Sequence, residues 1–237
     1  MCYNVAARQR TEDLEKKYGI KPNVELDAHK YYHVSGYTHP ILPVLIWKSG
    51  KRFELMRWGL IPSWTKGEEK AKEVSNMTLN AKAETIFEKP MYMRSIAKSR
   101  CILPVDGYYQ WKEVGKMKYP HYIYPKDKGV FSLGCIYDTW ISEATGEVVN
   151  SFSIITTEAN EVMAMINSGK RMPLILDDKG WQQWINPKST KKEIQGLLKP
   201  SPNEILSYHT ISHTISHPNM NTNYPDIQNE VLYYWNK

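Results

Sequence analysis

The second residue of the chain, Cys2, offers the most distinctive chemistry in the sequence. If Met1 is removed, the free α-amine and the thiol of Cys2 stand on adjacent carbons, and this pair can capture an aldehyde as a five-membered ring. Ordinary pKa values of about 8 for an α-amine and about 8.5 for a cysteine thiol leave a reactive fraction of both groups near neutral pH. A cysteine at position 2 can also be incidental, so the assignment depends on residues elsewhere in the chain.

The composition adds a preference about partners. The chain has 237 residues, 31 of them basic and 25 acidic, which gives a net charge of +6, and it contains 16 Tyr and 8 Trp. Basic side chains attract phosphates and aromatic rings stack on exposed bases, so this combination favours single-stranded DNA over an intact duplex. A buried aromatic core with a solvated basic surface explains the same composition.

The cysteine pattern and the N-terminal segment bear on the compartment. Cys2, Cys101 and Cys135 are odd in number and far apart, which predicts neither a disulfide framework nor a paired metal site. The residues after Cys2 lack the apolar stretch of a signal peptide, and no window approaches a membrane span. We therefore expect a cytoplasmic protein, associated with the nucleoid when bound to DNA, and the sequence calls for no cofactor.

The elements that must position Cys2 are mainly strands. A short helix is expected over Thr11 to Tyr18, with Thr11 as its cap, and a hairpin over Ile41 to Trp47 and Phe53 to Trp58. Further strands are expected over Cys101 to Pro104, Tyr119 to Tyr124, Val130 to Ile136 and Ser151 to Thr156. Helices are expected over Pro90 to Lys98, Asn160 to Ile166, Asp178 to Trp184 and Thr190 to Leu198, the last with a Thr190/Glu193 capping box.

This order of elements predicts the fold class. Helices are inserted among strands without regular alternation, and no linker or composition shift marks a boundary. We predict a single α+β domain over residues 1–237, with a barrel-like, largely antiparallel β-sheet core and surrounding helices.

Five sequence blocks behind Cys2 are unusually stiff, aromatic or polar. They are Trp58-Gly59-Leu60-Ile61-Pro62-Ser63-Trp64, Asn80-Ala81-Lys82-Ala83-Glu84-Thr85, the segment from Arg100 to Lys112, Thr156-Thr157-Glu158-Ala159-Asn160, and Arg171-Met172-Pro173-Leu174-Ile175-Leu176. In this order, and with a late Tyr208-His209-Thr210-Ile211-Ser212 segment, the chain resembles the SRAP family, the SOS-response-associated peptidase domain that protects abasic sites in single-stranded DNA. The resemblance spans essentially the whole chain.

The resemblance implies a reaction and its residues. The Cys2 α-amine would attack the ring-opened aldehyde of an abasic sugar, and the thiol would close the Schiff base to a thiazolidine crosslink. Asn80 matches an asparagine that holds the opened sugar, a task that suits a neutral side chain with donor and acceptor atoms. DNA contacts are implied for the positions Lys82, Trp64, Arg171, His209 and Asn4, of which Lys82 and Asn4 replace arginines usual in the family.

Two positions depart from the family pattern. Gln110 stands where the family has a glutamate that acts as general acid and base, including in autoproteolytic release of a leading peptide. A glutamine keeps only the hydrogen bond and forgoes a contribution of typically about 10²- to 10⁴-fold in rate. The histidine expected before Arg171 is absent, and Asn167 is the nearest polar residue. The sequence leaves open whether Glu84 or Glu113 replaces the missing acid and base.

Several alternatives stay open on the sequence alone. The chain could be a degenerate SRAP-type module that shields damaged single strands non-covalently, a peptidase acting on other proteins, or a papain-like hydrolase, although no helix signal follows Cys2 to activate its thiol. His209, His213 and His217 recur every four residues and imitate a metal site, but the intervening Thr-Ile-Ser repeats favour a strand. Lys89, Arg94, Lys98 and Arg100 form either a phosphate-facing patch or a solvated helix face. Oligomeric state is undetermined.

Overall fold

The computed structural model describes residues 1–217 and 219–234. The helices are α1 (Thr11–Tyr18), α2 (Glu68–Met77), α3 (Pro90–Lys98), α4 (Glu161–Ile166), α5 (Asp178–Ile185) and α6 (Lys191–Leu197). The strands are β1 (Asn4–Ala7), β2 (Tyr31–Ser35), β3 (Ile41–Trp47), β4 (Lys51–Trp58), β5 (Asn80–Lys82), β6 (Arg100–Val105), β7 (Gly107–Val114), β8 (Met117–Pro125), β9 (Phe131–Ile141), β10 (Val148–Glu158), β11 (Arg171–Pro173), β12 (Ile175–Leu176) and β13 (Leu206–Thr210).

Five strands close into a barrel. β4 pairs with β3, β3 with β6, β6 with β9 and β9 with β10, all antiparallel, and a parallel pairing of β10 with β4 completes the ring. Closure leaves these five strands without a free edge and encloses a core. The predicted α+β fold with a barrel-like, largely antiparallel core is confirmed.

A second sheet stands beside the barrel. Its strand order is β13-β8-β7-β1-β2, with every neighbouring pair antiparallel. Because successive side chains point to opposite faces of a strand, β7 sends Tyr108 and Gln110 to one face and Tyr109 to the other. Tyr108 joins the apolar cluster that contains Cys2 and the barrel residues, whereas Tyr109 joins a separate cluster with Ile211, Ile215 and Ile227. We call these the inner and the outer face of this sheet.

The helices cover the other side of the barrel strands. Residues that alternate with the inner cluster, such as Leu45 and Ile136, pack with Leu14 of α1, Tyr92 of α3 and Trp184 of α5. Each buried side chain of this size contributes roughly 1.5–3 kcal/mol of transfer free energy. Among the residues that the structure describes, no helix is both long and apolar enough to cross a membrane.

Most predicted elements are found, with three corrections. The capping box of α6 is present, since Thr190 Oγ1 accepts from the Glu193 amide and Glu193 from the Thr190 amide. Thr11 does not cap α1: Arg10 is the N-cap residue, and its side chain makes no cap hydrogen bond. The expected C-terminal strand ends at Thr210, because the His213–Ser216 segment turns into a 3-10 helix capped by Ser212.

Arg100 is the third correction. Its guanidinium is buried and donates to the carbonyls of Ile96, Ala97, Trp184 and Asn186, at distances of 2.6–2.9 Å. These oxygens lie at the C-terminal ends of α3 and α5, which favour a cation. Arg100 therefore joins two helices and cannot belong to a phosphate-facing patch.

Candidate functional site

The Met1–Cys2 peptide bond is held from both sides. The Cys2 amide donates to Asn80 Oδ1 at 3.1 Å, and Gln110 Nε2 donates to the Met1 carbonyl oxygen at 3.0 Å. Met1 is 38% exposed whereas Cys2 is fully buried. Three residues far apart in sequence thus meet at one peptide unit, with its nitrogen and its carbonyl oxygen each bonded to a separate side-chain amide.

Asn80 is fixed by the backbone around it. β5 pairs in parallel with β10, Asn80 opposite Ile154, and Trp58 Nε1 donates to the Leu79 carbonyl at 2.9 Å. Tyr92 Oη donates to the Asn80 carbonyl at 3.1 Å. The side chain is only 8% exposed, and its Nδ2 has no hydrogen-bond partner among the described residues. A buried donor without a partner costs about 1–3 kcal/mol, so this atom is available to a ligand oxygen.

Gln110 and Tyr108 share the inner face of β7. Gln110 lies opposite His121 of β8, and its buried side chain reaches Met1. Tyr108 lies opposite Ile123, packs against the Phe131 ring and is fully buried. Within the described part of the chain its hydroxyl also lacks a partner.

Burial shifts the pKa values of the terminal amine and of the Cys2 thiol in opposite directions. It raises the pKa of the Cys2 thiol to about 12, so the thiol stays protonated at neutral pH. Burial also lowers the pKa of the Met1 α-amine, and the positive charges of Arg171 and Lys82 lower it further. The site therefore holds a terminal amine with a lowered pKa beside an un-ionised thiol.

Arg171 is held rigidly beside β10. It binds Glu84 through two hydrogen bonds of 2.7 and 3.0 Å, and it donates to the Thr156 carbonyl at 2.5 Å. Burial acts to raise the pKa of Glu84, but the bonds from Arg171 outweigh it and the pKa is lowered. Glu84 is thus a fixed anion that orients Arg171. Glu113 lies on the exposed end of the β7–β8 hairpin, paired with Lys118 at 3.2 Å.

Asn167 is committed to its own turn. Its Nδ2 donates to the Arg171 carbonyl at 2.7 Å, and its Oδ1 accepts from the Gly169 amide at 3.0 Å. The amide therefore shapes the turn that leads to Arg171. Both amide atoms are used within this turn rather than at Cys2, so a chemical role for Asn167 stays a prediction.

The remaining predicted DNA contacts divide into two groups. Lys82 is exposed two residues beyond Asn80, and Trp64 is exposed after β4. Asn4 Oδ1 is instead bonded to His33 Nε2 at 3.0 Å, and His209 lies on the outer face with its Nε2 2.7 Å from the Gln228 carbonyl oxygen. DNA contacts by Asn4 and His209 stay predictions that this placement does not favour.

The three regularly spaced histidines do not converge. The His213 ring packs against Tyr119 and Tyr233, whereas His209 contacts Tyr122 and Tyr124. Over residues 1–217 and 219–234, no three His, Cys, Asp or Glu side chains come together as metal ligands. The spacing of four residues fails as a signal because the segment changes from strand to 3-10 helix between the first and second histidine.

Sequence reasoning missed the tyrosines around Cys2. The ring of Tyr3 lies against that of Tyr37, with centroids 5.0 Å apart, and Tyr92 bonds the Asn80 backbone. Tyr37 is 59% exposed. Only the position of Tyr3 next to Cys2 could have signalled this group, since Tyr37 and Tyr92 are brought there by the fold.

Comparisons with known proteins show the family of the chain. Residues 1–218 match the family described as SOS response associated peptidase (SRAP). The abasic site processing proteins YoqW and YoaM of Bacillus subtilis (strain 168) are 32% and 36% identical, and each alignment covers 94% of this chain and 97% or 96% of the relative. The abasic site processing protein HMCES of Xenopus tropicalis is 30% identical over 70% of this chain and 54% of its own length.

A solved structure matches the whole fold. The X-ray crystal structure of a protein from Bacteroides thetaiotaomicron superposes with a TM-score of 0.90 at 37% identity, over 98% of this chain and 100% of that chain. A single domain reaching to residue 237, beyond the family match, stays a prediction.

Proposed function

The chain belongs to the SRAP family, and we propose that it is an abasic-site processing protein that crosslinks single-stranded DNA through Cys2. The observation that carries this proposal is the pair of hydrogen bonds that Asn80 and Gln110 form with the Met1–Cys2 peptide unit. In that unit the Cys2 nitrogen is bonded to a carbon that bears an oxygen. The first intermediate of amine attack on an aldehyde has the same connectivity, so the Met1 carbonyl stands in for the reacting C1′ and its oxygen.

The geometry supports a stepwise reaction. Removal of Met1 by hydrolysis frees the Cys2 amine and empties the space that Met1 occupied. The amine adds to the aldehyde carbon to give a carbinolamine, whose oxygen takes the position of the Met1 carbonyl oxygen, within reach of Gln110 Nε2. Loss of water gives the Schiff base. The thiol sulfur then adds to the imine carbon while its proton passes to the nitrogen, which closes the thiazolidine.

Each side chain has a distinct role in this sequence of steps. Asn80 Oδ1 orients the amine lone pair through the N–H that it accepts, and its unpartnered Nδ2 is placed to donate to a sugar hydroxyl. Gln110 donates to the carbinolamine oxygen but transfers no proton. Because the thiol pKa is raised, nitrogen attack precedes sulfur attack.

Charge and exposed rings supply the DNA contacts. Lys82 and Arg171 lie close enough to the N-terminus for their charges to lower its pKa, and this proximity supports the proposal that they bind backbone phosphates. Trp64 offers an exposed ring for stacking. We propose that the protein acts in the DNA damage response in the cytoplasm, on nucleoid DNA, and that self-processing at Met1 is its peptidase activity.

A second function is favoured by two features of the site. Gln110 replaces a proton-transferring group and the Cys2 thiol is fully buried, so the fold could shield damaged strands without reacting. Binding of a tetrahydrofuran abasic analogue, which has no aldehyde, would then match binding of a natural abasic oligonucleotide.

A denaturing gel separates the two functions. We expect a wild-type crosslink to a natural abasic single strand that is absent with the tetrahydrofuran analogue and in Cys2→Ala. Equal affinity for both oligonucleotides without any covalent product would establish shielding instead. Cleavage of a casein-like substrate would point to a general peptidase.

A further inference from the structure

We propose that Tyr37 is a stacking platform for the nucleobase next to the abasic sugar. The proposal rests on the proposed function, because it requires a single strand at Cys2. It assigns a binding role to a residue that lies outside the sequence blocks shared with the family.

The Tyr37 ring contacts the residue that follows the proposed nucleophile Cys2. Tyr37 stands with its ring centroid 5.0 Å from that of Tyr3, and Tyr3 follows Cys2 directly. Tyr3 is half-buried, whereas Tyr37 is 59% exposed, so the pair presents one free aromatic surface to solvent. A scattered exposed tyrosine is ordinary, but one whose ring lies against the residue next to Cys2 is placed for a ligand.

The turn that carries Tyr37 is rigid. Residues Gly36–Thr38 form a 3-10 turn, in which Ser35 Oγ accepts from the Tyr37 amide at 3.4 Å and Thr38 Oγ1 donates to the Ser35 carbonyl at 2.8 Å. The turn ends at His39, whose Nδ1 lies 2.7 Å from the Trp58 carbonyl oxygen. An exposed ring on a fixed turn loses little conformational entropy when it stacks.

The same turn is tied to both halves of the reaction site. The Gly36 amide donates to the Tyr3 carbonyl at 2.7 Å. Gly36 also lies directly under the Trp58 ring, so close that an added Cβ would stand 2.9 Å from Trp58 Cε2. Since Trp58 Nε1 bonds the Leu79 carbonyl, one frame positions Tyr37, Cys2 and the neighbouring Asn80 relative to one another.

The substrate offers a matching surface. An abasic site removes one base from the stack and leaves the neighbouring base with an uncovered face. An aromatic side chain covers such a face without reading sequence, and truncating one costs about 1–3 kcal/mol per base, or roughly 5- to 150-fold in affinity. The platform therefore adds preference for an interrupted stack over a continuous one.

The test uses a single-stranded oligonucleotide with a tetrahydrofuran abasic analogue and 2-aminopurine beside it, on the 5′ side in one probe and the 3′ side in another. Wild-type protein is expected to quench the fluorescence of one probe on binding. Tyr37→Ala is expected to lose that quenching and to bind about 5- to 100-fold more weakly, while Tyr37→Phe retains both. Trp47→Ala is the matched control, since Trp47 is also a partly exposed aromatic ring. Ile41 begins β3 four residues after Tyr37, and Trp47 ends the strand about 20 Å from Ile41 by strand rise.

The analogue cannot form a Schiff base, so this result is independent of the crosslink. Wild-type affinity and quenching in Tyr37→Ala, with its thermal unfolding unchanged, would overturn the platform and leave the proposed function standing. A wild-type protein that binds neither probe would overturn both the platform and the DNA-binding function.

Discussion

The two faces of the five-stranded sheet carry similar residues but differ in whether their buried polar atoms have hydrogen-bond partners within the described chain. On the inner face, the hydroxyl of Tyr108 has no partner in the described chain, and Gln110 Nε2 donates to the Met1 carbonyl. On the outer face, Tyr109 donates to the Tyr32 carbonyl and accepts from Gln228 Nε2 at 3.0 Å. Tyr108 and Tyr109 are sequence neighbours, so the difference comes from what each face meets.

The outer face is closed by the C-terminal segment. His33 uses both ring nitrogens, with Thr222 at 2.7 Å and Asn4 at 3.0 Å, and His209 lies 2.7 Å from the Gln228 carbonyl oxygen. Ile211, Ile215 and Ile227 complete this cover. A cluster of histidines and tyrosines whose polar atoms are hydrogen-bonded therefore has a structural role. A site whose buried polar atoms lack partners can instead bind a ligand.

The largest expected effect is a gain from Gln110→Glu. A carboxyl group at this position could deliver a proton to the departing carbinolamine oxygen, which is worth about 10²- to 10⁴-fold in rate. We expect faster crosslinking, with a bell-shaped pH dependence absent from the wild type, in single-turnover gel assays. Wild-type rates in this variant would show that proton transfer does not limit the reaction at this position.

Asn80→Ala should reduce crosslinking by about 10- to 100-fold, because a hydrogen bond that orients the amine contributes roughly 1.5–3 kcal/mol. The variant loses the hydrogen bond to Cys2, but it also removes the buried Nδ2 that has no partner among the described residues. These two effects oppose each other, so the free energy of unfolding should change little. The same assay, paired with thermal unfolding, checks both statements. Tyr109→Phe on the outer face is the control, expected to lower stability without changing the rate per folded molecule.

The outer face should be sensitive to acid. Burial lowers the pKa of His33 to about 4, below the value of about 6.5 expected for the unfolded chain. Between these pH values the unfolded state binds more protons, so stability is complete above pH 6.5 and falls as the pH decreases towards 4, by about 3 kcal/mol at most. Urea unfolding at several pH values should show this slope, and His33→Gln should flatten it. An unchanged slope in the variant would assign the acid sensitivity to another group.

The smallest effect distinguishes the two neighbouring tyrosines. Tyr108→Phe removes a buried hydroxyl that has no partner in the described chain, so stability should stay constant or rise by about 1 kcal/mol. Tyr109→Phe removes a bonded hydroxyl and should cost about 1–2 kcal/mol, or roughly 2–8 °C in Tm. Calorimetry of both variants measures the contrast directly. Equal losses would mean that the Tyr108 hydroxyl is satisfied by bound water.

Elements that obey local rules could be predicted from the sequence. The hairpin of β3 and β4, helix α3 after Pro90 and the capping box of α6 follow from turn, proline and cap chemistry. Cys2 and Asn80 could be paired only through resemblance to a family, since 78 residues separate them. Arg100 and His209 show the limit, because their surroundings are helix ends and a folded-back segment brought in from distant parts of the chain.

Crosslinking through Cys2 is tested most directly by intact-mass spectrometry of the protein before and after incubation with a single strand containing one natural abasic site. We predict loss of Met1 and then a denaturation-resistant adduct whose mass is that of protein plus DNA minus one water, absent in Cys2→Ala. A protein that has lost Met1 and binds the strand, yet shows no adduct, would contradict the proposed reaction.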